Sequence, residues 1–240
     1  MRVRLLCVCA RALSEIEAAE ALVASGQKSP QGKISVTAPN DFGGFLARFL
    51  KDFCARYPKI SVDLVLTNRY VNLISEGVDI ALRAGVLKDS TLRARKVATT
   101  KRALFASPSY LLAKGSPNHP KEIEQHQCIL FAHAKHDHWR LMSGKQRATV
   151  KTSGIVSADD IVAQKDLALH DLGIALLPTF ICHQEIAAKK LVSVLPDWSS
   201  EVLPISIVYP AQKFQHPKIK AFIEEIAPLL TRTYGSFDRE

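Results

Sequence analysis

Polar residues occupy the turn between a predicted strand and a predicted helix near the start of the chain. The strand pattern is Ile34-Ser35-Val36, and the helix pattern ends at Tyr57 because Pro58 follows. A helix N-terminus presents unpaired backbone N–H groups and the positive end of the helix dipole, which favour a polar or anionic ligand. We therefore predict that this turn binds a small molecule, through Thr37, Ala38, Pro39 and Asn40.

A second turn of the same kind lies farther along the chain. Ser157-Ala158-Asp159-Asp160 matches a capping box ahead of an apolar helix pattern that runs from Ile161 to His170. The ligand site is expected to include Ser157 and Asp159, together with residues that end nearby strand patterns, which are Thr67, Asn68, Phe131 and His133. The negative charges of Asp41 and Asp159 would repel a strongly anionic ligand, unless these residues act as helix caps. The alternative is that Thr37, Asn40 and Ser157 only cap helices.

Metal chemistry and catalysis find little support in the sequence. His133, His136, Asp137 and His138 are suitable metal ligands, but their spacing matches no helical or finger motif. There is no Gly-x-Ser-x-Gly elbow, no phosphate-binding loop and no paired nucleophile and base. We expect no metal, no cofactor and no enzymatic activity.

The surrounding elements follow an α/β order. Alternating patterns predict strands at 60–66 and 78–83 with a short helix from Tyr70 to Glu76 between them, so that strand and helix alternate and the strands run parallel. Later segments predict further strands, a helix over 178–190, and a β-hairpin over 140–152 with its turn at Ser143-Gly144.

The helix pattern that follows Pro39 is apolar over about half of its circumference, which is wider than one core contact requires. We predict that this helix packs on its own sheet and also on a partner subunit, through Phe45, Phe49 and Phe53. The alternative is a helix buried deeply in one large core.

Composition bounds the class of protein. The chain has 240 residues, 47% apolar residues and a formal net charge of +9, with Lys and Arg scattered. Five cysteines, with no paired spacing beyond Cys7-Val8-Cys9, indicate reduced thiols in a cytoplasmic protein, and no apolar stretch is long enough for a membrane span. Residues 11–25 predict an amphipathic helix, and 26–32 predict a linker.

Six short motifs in this order resemble the effector-binding domain of LysR-type transcriptional regulators over about residues 32–234. They are Gly32-Lys-Ile-Ser-Val-Thr-Ala-Pro39, Phe53-Cys-Ala-Arg-Tyr-Pro58, Gly77-Val-Asp-Ile-Ala-Leu-Arg-Ala-Gly85, Ala106-Ser-Pro-Ser-Tyr-Leu111, Leu172-Gly-Ile-Ala-Leu-Leu-Pro178 and Val208-Tyr-Pro210. The resemblance implies an α/β fold like that of periplasmic binding proteins, with two lobes joined by two crossover strands. Lobe I would span about 33–99 with 208–234, and lobe II about 101–205; residues 1–31 would be the end of the family's linker helix and a linker.

The resemblance also implies a function. A small-molecule effector, such as a carboxylate or an aromatic metabolite, would bind between the lobes, and the domain would form a homodimer or tetramer. The family's winged helix-turn-helix has no room before residue 32, so we expect no sequence-specific DNA binding unless such a head precedes this chain. His170-Asp171 stands where the family tends to have Gly, and Asp171 would need a helix-ending conformation that Gly adopts more cheaply. The competing functions are a transport-type solute-binding protein and, third, an enzyme on the same scaffold.

Overall fold

A computed structural model describes residues 30–85, 92–132, 138–211, 213 and 216–235. The predicted helix at 11–25, most of the predicted linker, and His133 lie outside these ranges. The chain divides into two compact units, the first comprising Met1–Ala98 with Ile205–Thr233 and the second Thr99–Pro204 with Tyr234–Glu240. The chain passes from the first unit to the second within one strand and returns within another.

The first unit is built on a five-stranded sheet. Its strands are β1 (Gly32–Ala38), β2 (Ile60–Leu66), β3 (Ile80–Ala84), β4 (Leu92–Thr100) and β12 (Leu203–Pro210), in the order β2-β1-β3-β12-β4. The central strand β1 pairs in parallel with both β2 and β3, which confirms the predicted parallel order. β12 returns antiparallel to β3. The carboxyl ends of β1, β2 and β3 therefore meet at one edge of the sheet.

Two helices cover this sheet with aromatic side chains. A 3-10 turn (Asn40–Phe42) leads into α1 (Gly43–Arg56), and α5 (Pro217–Tyr234) lies near the end of the chain. The ring of Phe222 on α5 meets Phe49 and Phe53 edge to face, each at a centroid distance of 5.1 Å. An exposed ion pair between Arg56 and Glu225 links the same two helices.

The predicted partner surface on α1 needs correction. Phe45, Phe49 and Phe53 are only 7%, 5% and 3% exposed within this single chain. These rings fill the chain's own core because Phe222 of α5 packs on Phe49 and Phe53, a contact that the helix pattern alone could not reveal. The alternative, a helix buried deeply in one large core, does not describe α1 either, because its buried residues are Phe45, Leu46, Phe49 and Phe53 and most of its other residues are exposed.

The predicted helix from Tyr70 to Glu76 is also wrong. Residues 73–77 form turns, and Gly77 ends them with a φ of +68°. Side chains hold this segment together: Asn72 Oδ1 accepts hydrogen bonds from the N–H groups of Ile74 and Ser75, and Glu76 accepts one from the N–H of Asn72. Such local side-chain bonds compete with helical backbone bonds.

The second unit contains a seven-stranded sheet. In chain order its elements are β5 (Arg102–Ala106), α2 (Pro108–Lys114), β6 (Cys128–Phe131), β7 (His138–Ser143), β8 (Gln146–Lys151), β9 (Val156–Ala158), α3 (Ile161–Leu169), β10 (Ile174–Pro178), α4 (His183–Ala187) and β11 (Val192–Ser199). Their order in the sheet is β8-β7-β11-β5-β10-β6-β9. Successive residues of a strand point to opposite faces of the sheet. Leu104 belongs to one apolar cluster and Phe105 to the other, so both faces of the sheet are packed.

Two details of this unit differ from the sequence prediction. The hairpin forms, but its two connecting residues are Gly144 and Lys145, one position later than predicted. The segment predicted as one helix over 178–190 is instead a 3-10 turn (Thr179–Ile181) followed by the short helix α4. Asp171 has a φ of +63° after α3, as its place in the sequence predicted.

Two glycines border the entry to β6, a strand flanked by β10 and β9. A Cβ atom on Gly154 would lie 1.8 Å from the carbonyl oxygen of Cys128, and one on Gly173 would lie 2.3 Å from that of Gln127. Gly173 also has a φ of +144°. The backbone packs so closely at these points that no side chain fits.

Candidate functional site

The predicted ligand residues of the first unit meet at the carboxyl edge of its sheet. The N–H of Thr67 donates to the carbonyl of Ala38 (2.8 Å), and the N–H of Asn40 donates to Oδ1 of Asn68 (3.4 Å). These bonds join the turn after β1 to the turn after β2. Ligands of open α/β sheets bind outside the carboxyl ends of the strands, which is where these residues lie.

Not all of the predicted residues can present a side chain to a ligand. Thr37 is buried, and its hydroxyl donates to the carbonyl of Val65 at 3.0 Å, so it fixes β1 to β2 instead of facing outward. Ala38 is buried as well. Pro39, Asn40 and Thr67 are partly exposed and Asn68 is exposed, which leaves these four as the accessible part of the predicted set.

The helix that starts at this edge has no side-chain cap. Asn40 and Asp41 belong to the 3-10 turn, whose preceding residue is Pro39, and the residue before α1 is Phe42. Neither position makes a capping side-chain bond, which corrects the prediction that Asn40 or Asp41 caps the helix. The positive end of the helix dipole thus lies at this sheet edge, with the acidic residue Asp41 in the first turn beside it.

The sequence prediction missed a cation at the same edge. Arg83 lies near the end of β3, two residues beyond the β3 residue Ala81 that pairs with Thr37, and thus at the level of Pro39. The guanidinium donates to the carbonyl of Val71 (2.5 Å) and lies 4.3 Å from the ring centre of Tyr70. Burial lowers the pKa of Arg83. Arg83 lies inside a strand pattern, and that pattern does not indicate that its side chain would lie at the candidate site.

A second arginine near this edge is already neutralised. Arg69 forms a two-pronged ion pair with Glu76, with N–O distances of 3.0 and 2.5 Å. The pair holds the turn of residues 69–77, and the hydrogen bond from Arg69 lowers the pKa of Glu76. Arg83, in contrast, has no ion pair with a carboxylate in the described part of the chain.

In the second unit, the predicted residues Phe131, Ser157 and Asp159 also lie at a carboxyl edge. β6 and β9 are parallel neighbours, with Leu130 opposite Ser157 and Phe131 opposite Ala158. Phe131 is partly buried, whereas Ser157 and Asp159 are exposed. His133, which follows β6, lies outside the described residues.

The sequence prediction also missed the residue that organises this second edge. Gln164 on α3 is buried, and its side-chain amide donates to the carbonyls of Leu130 (3.0 Å) and Ala158 (2.9 Å). It thus ties the ends of β6 and β9 together. The cap of α3 is Asp160, whose carboxylate accepts from the N–H of Ala163 at 2.8 Å, and the predicted role of Ser157 in a capping box is wrong.

A cavity of about 430 Å³ lies elsewhere in the second unit. Its lining residues are Ser107, Pro108, Ser109, Leu169, His170, Asp171, Lys189 and Lys190. Because β5 runs antiparallel to β10, these residues stand at the opposite edge of the sheet from Phe131 and Ala158. None of the predicted site residues contributes to this cavity.

Reactive groups of other kinds are scarce in the described ranges. Burial raises the pKa of Cys128 and of Cys182 to about 12, so neither thiol is a ready nucleophile. No group of three His, Cys, Asp or Glu side chains in these ranges could hold a metal ion. No helix found there is both long enough and apolar enough to cross a membrane.

The chain matches a family model and several known regulators. The model described as the LysR substrate binding domain covers residues 27–230. An HTH-type transcriptional regulator of Haemophilus influenzae is 32% identical over 207 residues, covering 85% of this chain and 72% of the relative. The HTH-type transcriptional regulator CrgA of Neisseria meningitidis serogroup B is 34% identical over 217 residues, covering 89% and 72%.

Solved structures agree in fold. The regulatory domain of CrgA, a LysR-type transcriptional regulator from Neisseria meningitidis, superposes with a TM-score of 0.76 at 33% identity and covers 84% of this chain and 100% of that one. The full-length Vibrio cholerae virulence activator AphB superposes with a TM-score of 0.75 at 26% identity and covers 91% and 75%. Both solved structures share the mixed α/β fold of the two sheets described above.

Proposed function

Because the chain belongs to the LysR-type transcriptional regulators and carries their substrate-binding domain, we propose that the carboxyl edge of its first sheet binds the acid group of a small effector. The domain is a ligand-sensing regulatory module with the two-lobe fold of periplasmic binding proteins. A role as a transport solute-binding protein is not favoured, and the family is regulatory.

The observation that carries this proposal is the environment of Arg83. The half-buried guanidinium has lost part of its hydration. Its direct contacts are a neutral carbonyl and an aromatic ring, and the carboxylate of Glu76, which is paired with Arg69, acts on it only through space. A half-buried charge that is not hydrogen-bonded to an opposite charge is costly, and a carboxylate ligand would offset that cost with a two-pronged hydrogen bond. Thr67, Asn40 and Asn68 would supply neutral polar contacts, and Tyr70, 60% exposed, would supply an apolar wall.

Calorimetric titration of the chain with small aliphatic and aromatic carboxylates tests this proposal. For any acid that binds, Arg83→Gln should weaken the affinity roughly 10- to 150-fold, because a hydrogen bond to a charged group contributes about 1.5–3 kcal/mol. The matched control is Arg95→Gln, an exposed arginine on β4. Equal affinities of the wild type and Arg83→Gln for the acid would refute the proposal, provided that circular dichroism shows both to be folded.

We further propose that a second copy of the chain covers the free edge of the first sheet. β2 is an edge strand in the described sheet, and Val65 and Leu66 near its end are 49% and 38% exposed. An exposed apolar edge strand invites pairing with another chain. This surface takes the place of Phe45, Phe49 and Phe53, which are buried. Through this interface the chain would form a homodimer or a tetramer. We place the protein in the cytoplasm.

Light scattering of a charged variant tests the interface. Val65→Glu should reduce the mass of the particle to that of one chain at concentrations where the wild type is larger, because burying a carboxylate without a partner is costly. The control is Ile155→Glu, which places the same charge on an exposed apolar residue of the second unit. If both variants keep the mass of the wild type, the partner does not cover this edge.

A further inference from the structure

The hairpin of β7 and β8 carries a strongly basic open face. Its fourteen residues, His138 to Lys151, include four cations and no Asp or Glu; the cations are Arg140, Lys145, Arg147 and Lys151. All four are exposed. None of them forms an ion pair with any other residue that the structure describes.

The pairing of the two strands places three of these cations on one face. Arg140 lies opposite Thr149, Met142 opposite Arg147, and His138 opposite Lys151. Residues directly opposite each other in an antiparallel pair share a face, and so do alternate residues along a strand. Arg140 is thus diagonal to both Arg147 and Lys151, at roughly 7–8 Å between backbones. Lys145 adds a fourth charge at the turn.

The other face of the hairpin packs against the core. Leu141 and Val150 are buried, and Trp139 and Ala148 pack against the same apolar cluster, together with Ile123. These residues alternate with the cations, which fixes the direction of the basic side chains away from the core. The hairpin therefore cannot turn its cations inward, and their mutual repulsion is a permanent feature of the fold.

Acidic residues near the hairpin do not cancel this charge. Asp197 and Glu201 lie on or just after β11, the neighbour of β7, and neither forms an ion pair with a described residue. Glu122 belongs to the 3-10 turn Pro120–Gln125, whose Ile123 packs against the opposite face. The open face is thus a compact positive surface built on a rigid strand pair.

We propose that this basic face contacts the phosphate backbone of duplex DNA without reading its sequence. A duplex carries one negative charge per about 1.7 Å of its axis, and each phosphate neutralised by Lys or Arg releases counterions. Relatives of the chain are HTH-type transcriptional regulators, so DNA is the polyanion held next to this domain in such proteins. The inference goes beyond effector sensing and does not depend on where the effector binds.

The test is fluorescence anisotropy of the 240-residue chain with a labelled duplex of about 20 bp and arbitrary sequence, across about 50–200 mM salt. Four contacts predict a slope of log affinity against log salt of about −3.6. The triple variant Arg140→Gln, Arg147→Gln, Lys151→Gln should reduce the slope to about −1 and weaken binding roughly 100-fold at the same salt.

A matched control separates this face from net charge. The triple variant Arg93→Gln, Arg95→Gln, Lys96→Gln removes the same charge from exposed positions of β4 and should keep the wild-type slope. Equal losses in the two triple variants, or no binding by the wild type, would overturn the proposal. So would equally tight binding of a poly-glutamate chain, which would mark the face as a site for acidic protein. Thermal melts by circular dichroism establish that both triple variants are folded.

Discussion

Gln164 offers a sharp test of how the second unit holds its candidate ligand edge. Its amide reaches the carbonyls of Leu130 and Ala158 from a buried position on α3. Gln164→Met keeps nearly the same length and volume but removes both donors. The change therefore isolates two hydrogen bonds without opening a cavity.

The expected loss of stability in Gln164→Met depends on which hydrogen bonds each carbonyl oxygen retains. The carbonyl of Ala158 still accepts from the N–H of Ala132 (2.9 Å), so it loses only the net value of one bond, about 0.5–1.5 kcal/mol. The carbonyl of Leu130 lies in the parallel ladder of β6 and β9, where Phe131 pairs with Ala158, so it also keeps a ladder bond and its loss is again about 0.5–1.5 kcal/mol. Together these terms lower the free energy of unfolding by about 1–3 kcal/mol.

Tryptophan fluorescence during urea unfolding reports on this unit directly. The chain has two tryptophans, Trp139 and Trp198, and both belong to the second unit. With a urea dependence of about 2 kcal/mol per M, the midpoint should fall by about 0.5–1.5 M. Gln184→Met, on an exposed position of α4, is the control and should stay close to the wild type. A midpoint for Gln164→Met that matches this control would refute the reasoning.

Two further predictions concern the cores of the two units. Burial lowers the pKa of His126, which lies 3.3 Å from the hydroxyl of Tyr110, so the folded state favours the neutral ring. Its stabilising contribution is present above the unfolded pKa of about 6.5 and is lost as the pH falls through the lower folded value. His126→Gln should flatten the decline of the urea midpoint below about pH 6.5, and an unchanged decline would contradict this assignment. Phe222→Leu removes two edge-to-face ring pairs and should lower the stability of the first unit by about 1–3 kcal/mol, as measured by circular dichroism. A change in oligomer mass without loss of stability would instead return Phe49 and Phe53 to the role of interface residues.

Local patterns were sufficient to predict much of the fold. The parallel arrangement of β1, β2 and β3 and the hairpin of β7 and β8 follow from apolar alternation and turn residues, which act over a few positions. The turn of residues 73–77 was missed because side chains of Asn72 and Glu76 hold it, and a helix pattern does not report such bonds. The burial of α1 was misassigned because its second partner, Phe222, lies far along the chain.

The sequence predicted which residues meet at the edge of the first sheet, but not all of their contacts. Strand order brought Ala38, Asn40, Thr67 and Asn68 together as expected. The hydroxyl of Thr37 points to a backbone carbonyl instead, since alternation along a strand does not say which polar residue faces the core. Arg83 and Gln164 were missed for the same reason. Each lies within a regular element, and only the tertiary structure shows that the first reaches a ring and the second two strand ends.

The two glycines beside β6 set a limit on how this domain can evolve. The carbonyls of Cys128 and Gln127 occupy the space where a side chain at 154 or 173 would begin. Selection should therefore retain glycine at both positions in relatives whose remaining sequence has diverged, while the adjacent, exposed Ser153 is free to vary more. A single nucleotide change that converts either glycine to alanine should already impair folding. A family alignment in which side chains are common at either position, with β6 still between β9 and β10, would contradict this expectation.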